Sequence, residues 1–484
     1  MLNIKRNWYL YLFFILILVL EISTVFSTKQ LSYPETYSNL VKALDKESGV
    51  HQGFYLFLKA ILYLLNTLNL DLSTQVQILK AVSVALSFIF FVLMYALITQ
   101  FSDDDKKSFF SLLLFASSPV FYLMTLNTLL TESFVLILIL MTLNSWINSI
   151  TAKKATIGLI LLVSLLVISS PLSAFFIIVI YAYLILHLFE SKKVLNFEKD
   201  IAIYSTFLYA TYYIFFFRNY MLNKNLPIII QEFLSPISLS FTHINISYIV
   251  PLVGPTTILF GIYALYSELS SRKKSAKRFY ILASMLIVSF VLLIFRVSNA
   301  YFLLFLLVIS LSVGSARALT LINSFFMKSR FSDKAKDLFL TGAIILNMSF
   351  AAVYLPQAII TNTNNAISPQ LVKFFEKINN VSETPLRIVS CRETAFLIDF
   401  YTKHNGMYER LSYNDKLKVK EIYHSPLELN IVDFLKKHDG NCIVVSEFEK
   451  ELFNVEKLKA VDLDMLKLKA NISNNLLYCL ENEN

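Results

Sequence analysis

This sequence of 484 residues is poor in charge, glycine and cysteine. Charged residues make up 16% of it, whereas a soluble domain carries roughly a quarter. Glycine occurs only 9 times, so glycine-mediated helix packing is not expected to dominate. The three cysteines, Cys391, Cys442 and Cys479, lie near the C-terminus; they match no metal motif and cannot all pair. A single Cys391–Cys442 bridge is one pairing that they allow.

Apolar residues are abundant instead. They form 56% of the chain, and the mean hydropathy is +0.60. Repeated apolar runs of about 18 residues or more are typical of transmembrane helices. The sequence therefore predicts an all-α polytopic membrane protein with about eleven spans. These spans are 8–27, 79–100, 108–126, 130–149, 155–170, 172–189, 200–217, 246–267, 279–295, 299–316 and 338–356.

Basic residues indicate how the spans are oriented. The net charge is +9, but these residues fall in short loops between apolar runs, which argues against nucleic acid as a partner. The segment 268–278 is the strongest inner anchor. If the short apolar segment 54–68 lies in the membrane interface, the N-terminus is cytoplasmic, whereas the loop 28–78 and the tail are extracytoplasmic. A crossing at 54–68 would invert every later span.

The composition divides the chain into two domains. We predict a transmembrane domain over 1–356, with interfacial helices in its outer loop 28–78. The tail 357–484 begins with a polar linker at 361–366 and alternates short strands with helices, which predicts a small extracytoplasmic α/β domain. The tail has no glycine-rich nucleotide loop. Its predicted strands are 386–391, 441–448 and 475–481, and its predicted helices are 394–404 and 429–440.

The outer loop contains the strongest candidate for catalysis. In SYPETYSNLVKAL, Pro34 is suited to the first turn of a helix, which places Glu35 at the helix N-terminus and Tyr37 two residues later. A simpler explanation is that the Glu35 carboxylate complements the helix dipole. The spacing alone does not decide between a catalytic and a structural glutamate.

The loop resembles the first outer loop of GT-C-fold glycosyltransferases, which include the protein mannosyltransferases and the lipid A aminoarabinose transferases. In that family an acid of this loop acts as catalytic acid or base, and the resemblance gives this role to Glu35. His51 and Tyr55, in His51-Gln52-Gly53-Phe54-Tyr55, stand where the family often has His-Pro-Pro-Leu-Tyr. The chain lacks the two prolines and has a single acid beside Tyr37.

The resemblance extends along about 1–356, in the order and spacing of weaker motifs. It implies that Tyr37, His51 and Tyr55 bind substrate together with residues of later helix ends. The weaker motifs, which lie at these later helix ends, are Ser118-Pro119, Glu132 in Leu130-Thr131-Glu132-Ser133, Ser170-Pro171, Val253-Gly254-Pro255, and Arg296 with Tyr301 in the stretch 295–304.

Sugar transfer from a lipid phosphate needs a base for the acceptor hydroxyl and a group that stabilises the departing phosphate. Glu35 fits the first need. Arg296, at the outer end of a span, fits the second, with Arg218 as a further candidate; either can instead be an interfacial anchor. Glu132 faces the cavity or lies at the water boundary, and Glu21 can line the same cavity.

These features predict an integral membrane glycosyltransferase of the cell membrane. It would move a sugar from a polyprenyl-phosphate donor to a lipid, glycan or protein acceptor, with the inversion that the family implies. No cofactor is predicted; a divalent metal held by Glu35 with His51 and His243 is conceivable, but their spacing gives it no support. Two alternatives remain open: a transporter or flippase for a lipid-linked substrate, and a non-catalytic scaffold with a degenerate GT-C fold.

Overall fold

The computed structural model is described for the residues 8–28, 30–32, 34–44, 52–102, 104–189, 194–223, 249–270, 277–295, 300–328, 333–364, 367–408, 411, 413–458 and 465–481. The chain forms two compact units. Unit 1 consists of 1–27, 48–57 and 77–363, and unit 2 of 28–47, 58–76 and 364–484. The loop after the first helix thus belongs to the same unit as the C-terminal tail.

Unit 1 is a bundle of apolar helices around an aromatic-rich core. Stacked and edge-on phenylalanines fill its centre, where the ring centroid of Phe90 lies 4.9 Å from that of Phe305 and 5.9 Å from that of Phe115. Its helices, some of which extend into unit 2, are α1 (Trp8–Ser27), α3 (Gln52–Thr67), α4 (Leu72–Thr99), α5 (Asp105–Ala116), α6 (Pro119–Thr125), α7 (Thr131–Ala152), α8 (Ile157–Ser169), α9 (Ala174–Phe189), α10 (Asn196–Asn223), α11 (Ile249–Val253), α12 (Pro255–Ser270), α13 (Lys277–Ile294), α14 (Ala300–Lys328) and α15 (Asp333–Asn364).

Within the described part of the chain, seven helices are long and apolar enough to cross a membrane, or eight if the bent pair α5–α6 is one span. Helices occupy every predicted span, which confirms the polytopic helical class, but the predicted number of eleven is not confirmed. The other three predicted spans correspond to the 13-residue helix α8, to α10, and to the broken pair α11–α12. Helix α3 covers 54–67 of the segment 54–68, which we expect to lie in the interface.

Two helix breaks lie at prolines that the sequence analysis singled out. The chain bends by 66° between α5 and α6 at Ser118-Pro119. Between α11 and α12, Gly254 adopts a φ of +97°, a conformation that side chains other than glycine rarely adopt. The two breaks contact each other, because the Ser118 hydroxyl donates to the carbonyl of Leu252 at 2.7 Å. This hydrogen bond satisfies one of the backbone carbonyl groups near the breaks.

Helices α12 and α14 approach each other closely at a pair of glycines. A Cβ added to Gly261 would lie 2.7 Å from the backbone of Leu311, and one added to Gly314 would lie 3.3 Å from the carbonyl oxygen of Gly261. Small residues allow such an approach between membrane helices. Glycine packing is therefore important at this one crossing, although the residue is rare in the chain.

Unit 2 combines the outer-loop helix α2 (Pro34–Leu44) with an α/β fold. Its five-stranded sheet has the order β2-β1-β3-β5-β4 in the described residues; β2, β1 and β3 are parallel, and β5 and β4 are antiparallel. Helix α17 packs on α2, and α16 packs beside β4. The elements after α15 are α16 (Pro369–Asn379), β1 (Arg387–Val389), α17 (Arg392–Tyr401), β2 (Asn405–Gly406), α18 (Tyr413–Tyr423), α19 (Glu428–Lys437), β3 (Cys442–Val445), α20 (Glu447–Phe453), β4 (Leu466–Ile472) and β5 (Asn475–Leu480).

The tail has each predicted strand and helix, but two expectations need correction. Helix α15 continues to Asn364, so most of the predicted linker 361–366 is helical. The disulfide joins Cys442 to Cys479, whereas Cys391 is free and buried. The allowed Cys391–Cys442 pairing is wrong because Cys442 and Cys479 are register partners on the antiparallel strands β3 and β5.

Candidate functional site

The catalytic candidate lies on α2, the first helix of unit 2. The helix begins at Pro34, as the proline predicts, so Glu35 falls in its first turn. The Thr36 hydroxyl donates to the carbonyl of Ser32 at 2.8 Å, which anchors this turn to the preceding segment. The side chain of Glu35 is outside the described part of the structure, so its catalytic role remains a prediction.

Tyr37 lies one turn into α2 and is fully buried in unit 2. Its hydroxyl accepts a hydrogen bond from the backbone N–H of Leu31 at 3.2 Å and lies 3.0 Å from the Tyr401 hydroxyl. The Tyr401 hydroxyl donates to Oε1 of Gln30 at 2.7 Å. Burial raises the pKa of both tyrosines, so both hydroxyls stay protonated. Tyr37 thus joins α2 to α17 in this structure, and a contact with substrate remains a prediction.

Tyr55, Glu132 and Tyr301 lie at helix ends on one side of unit 1. Tyr55 and Glu132 are buried, and Tyr301 is partly buried. The start of α3 packs on the start of α7, because the ring centroids of Phe57 and Phe134 are 5.1 Å apart. It also approaches the end of α8, because a Cβ on Gly53 would lie 2.6 Å from Ser169.

Helix α14 joins this group of helix ends. Phe302, next to Tyr301, contacts Phe175 at the start of α9 with ring centroids 6.0 Å apart. The short 3-10 turn Pro171–Ser173 connects the start of α9 with the end of α8. The first turns of α3, α7, α9 and α14 therefore lie on the same side of the bundle as the end of α8, and three of the predicted binding residues lie on these turns.

Three further predicted binding residues lie wholly or partly outside the described part of the structure. His51 and Arg296 lie outside the described residues. Arg218 lies in α10, but its side chain is also outside the described part. A cavity shared by Glu35, Glu132 and Arg296 thus remains a prediction. Among the side chains that the structure describes, no three His, Cys, Asp or Glu residues converge as a metal site would require.

Lys80, near the start of α4, is not among the site residues that the sequence predicts. Its side chain is fully buried in unit 1, and its Nζ lies 5.4 Å from the ring centroid of Phe26, over the aromatic face. A buried lysine inside a membrane span is costly, so such residues usually serve a function. The available signal was a single lysine in the apolar stretch that begins at Leu79.

The strand order of the unit 2 sheet reverses between β1 and β3, which is the position at which open α/β sheets bind ligands. The fully buried side chain of Glu449 lies at this position, beside the residues that follow β1 and β3. This carboxylate accepts hydrogen bonds from the backbone N–H groups of Cys391 and Ser446, each at 2.8 Å, and from the Thr394 hydroxyl at 3.0 Å. One of the protein's own carboxyl groups thus occupies this position, consistent with the missing nucleotide loop.

The membrane helices, the loop helix after α1 and the C-terminal α/β unit together define a polytopic membrane protein with the GT-C fold. Solved structures of two proteins share this architecture. The oligosaccharyltransferase AglB of Archaeoglobus fulgidus, in complex with an inhibitory peptide and a dolichol-phosphate, aligns with a TM-score of 0.65 and 10% identity, over 93% of this chain and 70% of its own.

The second protein is ArnT of Cupriavidus metallidurans. Bound to undecaprenyl phosphate, it aligns with a TM-score of 0.55 and 10% identity over 99% of both chains. In the apo state it aligns with a TM-score of 0.56 and 9% identity over 98% of both chains. No protein-family model and no curated protein sequence matches the chain. The similarity therefore confirms the GT-C fold expected from the sequence, at the level of structure.

Proposed function

We propose that this protein is an integral membrane glycosyltransferase that moves a sugar from a polyprenyl-phosphate donor to a lipid, glycan or protein acceptor. The observation that carries the proposal is the fold, which aligns with ArnT over nearly the full length of both chains. One structure of ArnT was solved bound to undecaprenyl phosphate, and AglB was solved in complex with a dolichol-phosphate. Both ligands are long-chain lipid phosphates, the class of carrier proposed here.

The donor needs a cation for its phosphate within reach of the membrane. Lys80 is such a cation, buried in a membrane helix and far more costly there than on a surface. A charged ammonium group binds phosphate oxygens through strong, charge-assisted hydrogen bonds. We assign Lys80 to the donor phosphate, alongside Arg296 and Arg218, which the sequence predicts for the same task.

The acceptor needs a base. In the proposed reaction the Glu35 carboxylate takes the proton of the acceptor nucleophile, which attacks the anomeric carbon of the sugar. The bond between this carbon and the lipid-phosphate oxygen breaks, and the phosphate leaves with its negative charge stabilised by the cations. Tyr37, His51, Tyr55, Glu132 and Tyr301 are the proposed binding residues around the reacting groups.

The protein would carry out this reaction at the cell membrane, with a cytoplasmic N-terminus and with the domain 357–484 on the extracytoplasmic side. Basic inner loops support this orientation. The segments 28–47 and 364–484 form one compact unit, which supports a common side for both. The Cys442–Cys479 disulfide supports an oxidising compartment for that side.

Reconstitution in liposomes tests the proposal against the transporter alternative. Purified protein is incubated with a radiolabelled polyprenyl-phosphate sugar and a panel of lipid, glycan and peptide acceptors. We expect label to move from donor to acceptor. If the intact donor instead crosses the bilayer and no acceptor is labelled, the protein is a flippase and the proposal is wrong.

A further inference from the structure

A turn between two membrane helices leads into one of the proposed binding residues. The segment 126–130 joins α6 to α7, and Glu132 lies in the first turn of α7. Asn127 adopts a φ of 57° in this segment, in the left-handed region that glycine and asparagine adopt more readily than other residues. A backbone in this region persists only where surrounding contacts hold it. The contacts of this turn therefore decide where α7 begins.

Ser83 of α4 holds the turn at two points. Its hydroxyl oxygen accepts a hydrogen bond from the backbone N–H of Thr128 at 3.1 Å, and it donates to the carbonyl oxygen of Thr125 at 3.2 Å. All three residues are buried in unit 1. The carbonyl of Thr125 lies at the last residue of α6, where a helix leaves its carbonyl groups without partners in the helix. One side chain thus pairs with a backbone donor and a backbone acceptor of the turn.

Two further hydroxyl groups fix the turn to the end of α6. Ser133, next to Glu132, donates to the carbonyl of Met124 at 2.6 Å. The hydroxyl of Thr128 donates to the same carbonyl at 2.9 Å. The start of α7 is therefore tied to α6 directly and to α4 through Ser83. The position of Glu132 relative to α4 depends on these hydrogen bonds.

The same part of α4 carries Lys80. It precedes Ser83 by three residues, which is about 4.5 Å along the helix axis. Its side chain is buried in unit 1, with its Nζ 5.4 Å from the ring centroid of Phe26. In the proposed reaction Lys80 binds the donor phosphate, and Glu132 is one of the binding residues around the reacting groups. Ser83 thus connects the segment that carries the cation with the segment that carries the carboxylate.

We propose that Ser83 is a positioning residue of the transfer. It holds Glu132 at a fixed distance from Lys80, so that Lys80 binds the phosphate and Glu132 accepts hydrogen bonds from hydroxyl groups of the sugar on the same donor molecule. This inference rests on the proposed function. A carboxylate forms strong, charge-assisted hydrogen bonds, and a small displacement of a group that orients the reacting atoms slows the reaction greatly. Ser83 acts through the turn rather than by contact with the donor.

Steady-state transfer assays of Ser83→Ala test the proposal. The change leaves Lys80 in place, so we expect the KM for the polyprenyl-phosphate sugar to change by less than about twofold, whereas kcat should fall by about tenfold or more. Ser83→Thr keeps a hydroxyl group and should recover most of the native kcat. Ser284→Ala is the matched control and should retain the native kcat, because this buried hydroxyl donates at 2.6 Å to the carbonyl of Tyr280 in its own helix.

A double-mutant cycle with Glu132→Gln separates positioning from a general loss of stability. If Ser83 acts through Glu132, the variant with both changes should have the same kcat as Glu132→Gln alone, whereas independent effects would multiply. If Ser83→Ala does not fold, Ser83→Cys takes its place in the cycle, because a thiol forms only weak hydrogen bonds.

Several results would overturn the role of Ser83 and leave glycosyl transfer itself intact. These are a native kcat in Ser83→Ala or in Glu132→Gln, a raised KM for the donor with an unchanged kcat, and effects of the two changes that multiply in the double variant. Absence of transfer by the native protein would instead contradict the proposed function, and this inference with it.

Discussion

The hydroxyl oxygens of Tyr37 and Tyr401 lie 3.0 Å apart in the core of unit 2. Tyr37 belongs to α2, the loop helix after the first membrane span, and Tyr401 belongs to α17, which follows strand β1 in the C-terminal α/β fold. Glu35 precedes Tyr37 by half a turn on the same helix. The C-terminal α/β fold therefore holds the helix that bears the proposed catalytic base.

Tyr401→Phe should weaken this contact. The change removes the 2.7 Å hydrogen bond to Gln30 and the hydroxyl group next to that of Tyr37. We therefore expect the free energy of unfolding to fall by about 1–3 kcal/mol. Chemical denaturation of the native and variant proteins measures this difference. Tyr63→Phe, at an exposed position on α3, is the matched control and should change the free energy of unfolding little. Equal stabilities of Tyr401→Phe and the native protein would refute this role.

Gly261→Ala should destabilise the bundle. The new Cβ would lie 2.7 Å from the backbone of Leu311, and relief of this overlap must push α12 and α14 apart, at about 1–3 kcal/mol. Gly342→Ala is the control, because nothing lies within 4 Å of a Cβ there, and it should leave the Tm unchanged or raise it. The Tm in detergent measures both. A Gly261→Ala variant as stable as Gly342→Ala would contradict the close helix crossing.

The stability of unit 2 should fall in mild acid because of His404. Its Nδ1 accepts the N–H of Leu386 and its Nε2 lies 3.0 Å from the carbonyl of Ile378, an arrangement that needs the neutral ring. Burial lowers its pKa below the usual 6.5, so this contribution is complete above about pH 6.5 and is lost as the pH falls through the lowered value.

Thermal unfolding at about pH 7.5 and about pH 5 checks this prediction. His404→Gln keeps a donor and an acceptor but cannot titrate, so its Tm should fall less between the two conditions than that of the native protein. An identical fall in both proteins would show that other groups cause the acid sensitivity.

Lys80→Met should impair use of the donor more than folding. If Lys80 binds the lipid phosphate, its loss should raise the KM for the polyprenyl-phosphate sugar by about tenfold or more, whereas Lys80→Arg should retain part of the affinity. Lys59→Met removes an exposed lysine from α3 and serves as control. Steady-state transfer assays give KM and kcat separately. An unchanged KM in Lys80→Met would remove the residue from the donor site.

Local patterns of the sequence predicted much of the architecture. Pro34 marks the start of α2, and apolar runs mark the membrane helices. The predicted spans 108–126 and 246–267, however, ran through the breaks at Ser118-Pro119 and Gly254-Pro255. The number of spans was less predictable, because α8 has only 13 residues and α11–α12 is interrupted. Apolarity alone cannot tell a short buried helix from a crossing.

Long-range contacts could not be predicted in the same way. The sequence showed Tyr37 beside Glu35 but not that its hydroxyl meets Tyr401, which lies hundreds of residues later. The disulfide was missed because the pairing of Cys442 with Cys479 depends on the register of β3 and β5. Lys80 was missed because one lysine hardly changes the hydropathy of a long apolar helix, whereas its burial depends on neighbouring helices.

We propose that this protein transfers sugar with Glu35 as its base. The most direct test measures transfer from a polyprenyl-phosphate sugar by Glu35→Gln, with Glu47→Gln of the same loop as control and with equal amounts of folded protein. We predict that Glu35→Gln loses activity by about a hundredfold or more, whereas Glu47→Gln remains active. Full transfer by Glu35→Gln would contradict the account.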